Sequence, residues 1–316
     1  MFLLILMIAV AVQMSGKFAT VRNATNILQQ IAPNGIVAVG LTLVSITGGL
    51  DMSTGSVMAL TGVITMMQLK SGSSLPIAIL SGSMVGVLTG FVNGVFVGKV
   101  KISPFIMTLA TQTLVRGIAL GITDTYPVSL WHPGFAQLSM GKVGFVPYSF
   151  AAMLILAILS EFFLKLTKPG HNIYVCGSNQ DAGYSAGINM EGTQILAYTL
   201  CGLTASIAGI FLASKLGSGS PVVAGDASLL AMTAIIIGGN KLGGSKANLL
   251  RTTIGVLVLG VLNNMMNLLG TMSYIQTIIK GLIVVVAIGA DAAGVRRLGD
   301  QLKLQLMRTK KEVGEV

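Results

Sequence analysis

The sequence predicts an all-α polytopic membrane protein with about ten transmembrane helices, some short or broken, and both termini in the cytoplasm. Three observations carry this. Hydrophobic residues make up 53% of the 316 positions, charged residues only 9%, and mean hydropathy is +0.83, which leaves too little polar surface to cover a water-soluble domain. Apolar stretches recur at membrane length between Gly, Pro, Ser and Lys punctuation. Lysine and arginine fall unevenly between the two sets of connections.

The apolar stretches lie at about 2–14, 29–48, 55–69, 75–98, 102–122, 147–166, 194–213, 227–239, 248–269 and 272–290. The opening MFLLILMIAVAVQM has the length of a signal-peptide core, but no basic stretch precedes it and no A-x-A site follows, so it reads as a first membrane helix. The first, third and eighth stretches are short for a bilayer that needs about 20 helical residues. Short spans imply broken or re-entrant helices, tolerated where protein or a cavity surrounds the freed backbone. The chain divides into a transmembrane domain over 1–294 and a basic cytoplasmic tail over 295–316.

With ten spans and an inner N-terminus, the inner connections hold Lys99, Lys101, Lys165, Lys168, Lys241, Lys246, Arg251 and six cations after 295. The outer ones hold Lys17, Arg22, Lys70, Lys142 and Lys215, so thirteen cations face five, as the positive-inside rule requires. The net charge of +10 lacks the aromatic-interleaved basic patch of a nucleic-acid surface, and no nucleic-acid partner is expected. Trp131, Tyr126 and His132 in the long outer loop 123–146 read as interfacial anchors.

Reactive chemistry is sparse. Cys176 and Cys201 form no C-x-x-C pair and read as packing residues, and the only histidines, His132 and His171, lie in loops. No metal site, G-x-S-x-G, H-E-x-x-H or P-loop occurs, so no catalytic residue and no cofactor are assigned to this chain. A transporter built on it would take its ATP through another protein.

Polar residues inside the spans are costly and normally face a bundle interior. Asp51 ends the second stretch in TGGLDMSTGS; Thr108, Gln112 and Arg116 form a stripe at four-residue spacing; Asn263 and Asn267 share a face, with Asn264 beside them; and Lys280 sits in the last stretch. Such amides and hydroxyls suit a neutral polyhydroxylated solute, and equally suit helix-to-helix hydrogen bonds. Gly82, Gly86, Gly90, Gly94 and Gly98 leave one face of the fourth stretch bare, and Ala205, Gly209 and Ala213 do so more briefly in the seventh. Such faces let backbones approach closely, within one subunit or between two.

Residues 178–188, SNQDAGYSAGI, lie in the inner loop 167–193. Ser178 and Asp181 have capping-box spacing, which predicts a short helix starting at Asn179 and running through Gln180, Ala182 and Gly183, with Gly187 as a left-handed stop.

Four segments, NGIVAVGLTLVSITGGLDMSTGSVMAL (34–60), SPFIMTLATQTLVRGIAL (103–120), IYVCGSNQDAGYSAGI (173–188) and IIIGGNKLGG (235–244), together resemble permease subunits of bacterial ABC importers of the ribose, galactose and xylose type. The resemblance covers about 20–290 and implies an inner-membrane permease for a monosaccharide or similar neutral polar solute. It also implies a second permease copy or paralogue, a cytoplasmic ABC ATPase that binds ATP and Mg, and a periplasmic solute-binding protein. The family's ATPase-docking element maps onto Asp181, Ala182, Gly183 and Gly187, with Ser178, Asn179 and Gln180 leading in. Relatives usually carry alanine and arginine where this chain has Gly183 and Tyr184, acidic residues where it has Ser228 and Leu230, and Thr-Ser where it has Asn240 and Lys241. The residues alone also admit an ion- or proton-coupled secondary transporter with Asp51, Arg116 and Lys280 as a charge relay.

Overall fold

The structure is a computed structural model that describes residues 7–9, 11–13, 16, 18–241, 243 and 247–289. Most of the first apolar stretch and all of the basic tail lie outside the described residues. Among the described residues six helices are long and apolar enough to cross a membrane: α1 (Val21–Ile46), α3 (Leu75–Gly98), α4 (Pro104–Ile122), α6 (Tyr148–Leu166), α9 (Met190–Leu216) and α11 (Leu249–Leu268). Among the described residues the shorter helix α2 (Thr54–Lys70) and two shorter apolar helices, α10 (Ala227–Ile237) and α12 (Ser273–Gly289), accompany them. At 1.5 Å per residue α10 rises about 16 Å, roughly half of the hydrocarbon thickness, so it is too short to cross a bilayer alone, as the short eighth stretch predicts.

Local chemistry sets the ends. Pro76 and Pro104 stand in the first turns of α3 and α4, where a missing N–H costs nothing. The Thr20 hydroxyl accepts from Asn23 N at the start of α1, and the Asn189 and Asn248 side chains accept from Gly192 N and Leu250 N at the starts of α9 and α11. Gly217, at φ +63°, stops α9 in the left-handed conformation.

The centre of the bundle is α9 against α1, α2 and α3. Tyr198, wholly buried on α9, donates its hydroxyl to Leu50 O at 3.1 Å and so ties α9 to the break after α1. The glycines of α3 make its own contact possible: a methyl group on Gly86 or Gly90 would overlap the α9 backbone at Gly202 or Tyr198, and one on Gly94 would lie 2.6 Å from Ile195 Cα. This face therefore packs within the subunit.

Each end of the bundle gathers its own connections. At one, the 47–49 turn, the 101–104 turn and the joint after α7 (Lys168–Ser178) enclose a cleft of about 390 Å³. There too Leu249 N donates to Glu161 Oε2 at 3.2 Å, and Glu161 pairs with Lys165 at 2.7 Å. At the other end, Thr25 and Gln29 of α1 donate to Phe145 O and Ser139 O. Here the connection from α4 to α6 folds into α5 (Pro133–Met140) and three two-residue strands, β1 (Val128–Ser129), β2 (Lys142–Val143) and β3 (Val146–Pro147), and β4 (Ser218–Gly219) joins them from the end of α9. They pair antiparallel, β1 with β4 and β2 with β3. Trp131 and Tyr126 are exposed, whereas His132 Nδ1 accepts from Phe135 N and caps α5. Lys101 and Lys165 thus stand at one end and Arg22 and Lys142 at the other, in the grouping that the charge count made.

Candidate functional site: interior polar groups and an exposed short helix

Asp51 is 1% exposed and belongs to a network between α2, α3 and α4. Its Oδ1 accepts from Ser53 N at 2.8 Å and Ser53 Oγ at 2.6 Å; Asn93 Nδ2 donates to Ser53 Oγ at 3.0 Å, and Thr111 donates to Asn93 Oδ1 at 2.6 Å. The carboxylate lies at the N-terminus of α2, where the helix dipole favours negative charge. Thr108 Oγ1 accepts from Met52 N at 3.1 Å in the same region. Ser53, Asn93 and Thr111 escaped sequence analysis because they lie on three different segments, and Thr111 stands off the Thr108, Gln112 and Arg116 stripe, so no helical period links them.

Arg116 does not join this network. Its Nη1 donates to Pro221 O and, at 2.8 Å, to Val223 O, holding the loop that leads into α10. Gln112, one turn away, is half-buried. Lys280 borders a third region, so the three charges of the relay reading stand apart from one another.

That third region is a cavity of about 210 Å³ among α1, α10, α11 and α12. Asn263 and Asn267 line it together, as their spacing predicts, and Asn263 Oδ1 is buried without a hydrogen-bond partner. Gln276 donates to Asn267 Oδ1 at 3.0 Å and to Thr271 O at 2.9 Å. Asn264 points elsewhere and exchanges two hydrogen bonds, at 2.8 and 2.9 Å, with Asn23. Gln30 and Asn34 on α1 were missed, although their four-residue spacing is the signal that found Asn263 and Asn267.

The segment 178–187 forms a different helix start from the one its spacing suggests. Ser178 is the last residue of α7, its hydroxyl turned back to Tyr174 O at 2.8 Å. Asn179 is the cap: its Oδ1 accepts from Ala182 N at 3.0 Å and opens α8 (Gln180–Ser185). Asp181 lies in the first turn, exposed, where the helix dipole favours it. Gly187, at φ +73°, ends the segment in the left-handed conformation as expected. Gly183 faces inward, and a side chain there would strike Met190, so its smallness serves packing onto α9. The outward surface is Gln180, Asp181, Ala182, Tyr184 and Ser185, with Lys101 Nζ 3.4 Å from the Tyr184 hydroxyl.

Two residues that depart from the family pattern have structural roles. Ser228 donates to Met52 O at 2.8 Å, and Asn240 braces the start of α11 through Asn248 N, Asn248 O and Thr252 Oγ1.

Residues 23–288 match the model of a family described as the permease component of the branched-chain amino acid transport system. The ribose import permease protein RbsC of Escherichia coli (strain K12) is 37% identical over 292 residues, covering 91% of this chain and 91% of that protein. RbsC of Bacillus subtilis (strain 168) is 33% identical over 293 residues, with 92% and 90% covered. The L-arabinose transport system permease protein AraH of Escherichia coli (strain K12) is 34% identical over 275 residues, with 87% and 84% covered. No solved structure matches the chain. With six membrane-length helices and a match of this extent, the chain belongs to the ABC-importer permease family that includes these sugar permeases, and is a multi-pass transport subunit rather than an enzyme.

Proposed function

We propose that the chain is the membrane-spanning permease of an ABC importer for a monosaccharide, in the bacterial inner membrane. A separate cytoplasmic ATPase carrying ATP and Mg energises it, and a periplasmic solute-binding protein delivers the solute. The observation that carries this reading is α8: a six-residue polar helix with an exposed outer surface, set between two structural helices at one end of an apolar bundle. Such a helix has no use in the lipid, and its outward Asp181, Ala182 and Tyr184 form a small knob for a partner's groove. The cation asymmetry of the sequence favours the cytoplasm for this end, in keeping with ten spans and both termini inside. Closure of the ATPase would draw together the α8 helices of two permeases, copies of this chain or this chain and a paralogue, and swing the bundle between outward and inward openings. Among the relatives, several are named for ribose and one for L-arabinose, and the amides of the cavity suit hydroxyl groups.

Co-purification tests the docking. A Cβ on Gly187 meets no atom within 4 Å, so Gly187→Val acts through the left-handed backbone alone. Gly187→Val and Asp181→Lys should each reduce ATPase retention about tenfold while the chain accumulates normally. Retention at the wild-type level in both would assign α8 to another role.

A further inference from the structure

We infer that the cavity among α1, α10, α11 and α12 is a solute-binding site within the permease itself, selective for one neutral, hydroxyl-bearing ring. The inference rests on the proposed sugar import and adds to it that this chain, not only its binding protein, reads the solute. Three helices each present a pair of polar side chains four residues apart to the same space: Gln30 and Asn34, Asn263 and Asn267, Gln276 and Lys280. Four-residue spacing puts both members of a pair on one helix face, so three polar stripes converge between otherwise apolar segments. Asp226 borders the cavity from the N-terminus of α10, where its side chain caps no N–H, and it forms no ion pair with Lys280.

One feature of the cavity is costly unless something occupies the space. A buried amide oxygen without a partner costs stability, and Asn263 Oδ1 is one. A ligand that brings donors as well as acceptors would satisfy it, and sugar hydroxyls do both. The volume, about 210 Å³, is over ten times the ~15 Å³ that one water needs and falls below the range of about 300–1,000 Å³ typical of drug-sized ligands. It leaves room for a solute of the size of one sugar ring. Asp226 and Lys280 balance in charge, and each can hydrogen-bond a neutral hydroxyl, the carboxylate as acceptor and the ammonium as donor, while Ile31, Leu230 and Leu259 supply the apolar wall on which a ring's C–H face packs.

The test uses the complete transporter, with ATPase and binding protein, in proteoliposomes, and D-ribose, D-xylose, L-arabinose and L-leucine as labelled probes. Because Asn263 Oδ1 has no partner within the protein, Asn263→Leu should leave heat stability and ATPase stimulation by loaded binding protein within twofold of wild type. Uptake of the transported pentose should fall at least tenfold, and Asn34→Leu should change the ratio of rates among the three pentoses by threefold or more. Wild-type pentose uptake and ratios in both variants would overturn the site while leaving the sugar permease intact. A destabilised Asn263→Leu chain would also overturn it, since that amide would then be structural. Wild-type uptake of L-leucine without any pentose would overturn both the site and the function it rests on.

Discussion

Thr54 and Ser228, 174 positions apart in sequence, meet hydroxyl to hydroxyl at 2.7 Å, each in the first turn of a short helix. Ser228 Oγ also lies 2.8 Å from Met52 O, so one serine joins the start of α10 to the break before α2. The two short helices therefore begin at the same place, and their freed N-terminal groups are covered by protein, as the membrane interior demands.

Ser228→Ala should lower the stability of the detergent-solubilised chain by about 1–3 kcal/mol, because it leaves the Thr54 hydroxyl and the Met52 carbonyl short of a partner. Adding Thr54→Val should cost less than its effect alone, a coupling of roughly 0.5–3 kcal/mol in a double-mutant cycle read from thermal midpoints. Strict additivity would show that the two hydroxyls do not interact.

The glycine face of α3 predicts a graded response. Gly86→Ala and Gly90→Ala push a methyl group into the backbone of α9 and should each destabilise the chain by about 1–3 kcal/mol, the cost of an overpacked contact. Gly117→Ala and Gly121→Ala on α4 meet nothing within 4 Å and should be neutral or slightly stabilising. Yield of folded chain after heating reads both; equal behaviour of the two pairs would refute the packing.

Arg116 and Asp51 serve different partners, so exchanging them should rescue nothing. Arg116→Leu frees the Pro221 and Val223 carbonyls and should cut transport at least tenfold, whereas Arg116→Lys, with one ammonium in place of the fork, should keep part of it. The double variant Asp51→Arg, Arg116→Asp should be no more active than either single change. Recovery in the double variant would restore the direct pairing that the structure lacks.

How much of this was legible in the sequence depended on range. The apolar stretches, the shortness of α10 and the left-handed Gly187 follow from local length and backbone chemistry, and the Asn263 and Asn267 face follows from helical period. The cap of α8 was misread because Ser178 and Asn179 are both good capping residues; the choice fell to Asn179 when α7 ran on through Ser178, which spacing does not encode. The partners of Asp51 and Arg116 were illegible for a different reason. Ser53, Asn93 and Thr111 lie on three segments, and the carbonyls of Pro221 and Val223 belong to the backbone, so only the assembled bundle brings them together.

Sidedness has a direct reading by cysteine labelling. Cys176 and Cys201 are buried, and burial pushes the Cys176 thiol up, away from the reactive thiolate, so the native chain should stay unlabelled. In Val143→Cys cells an impermeant maleimide should label from outside; in Tyr184→Cys cells it should label only after permeabilisation. Both replaced side chains are exposed. The reverse pattern would invert the topology.

Uptake of a labelled pentose into proteoliposomes decides whether this permease imports a sugar with energy from a separate ATPase. With the ATPase on the inside, the loaded binding protein outside and ATP enclosed, uptake should proceed against the gradient, and it should stop when ATP is replaced by a non-hydrolysable analogue. An imposed proton or sodium gradient should not substitute for ATP. Uptake by the chain alone, driven by such a gradient and indifferent to ATP, would make the protein a secondary transporter instead.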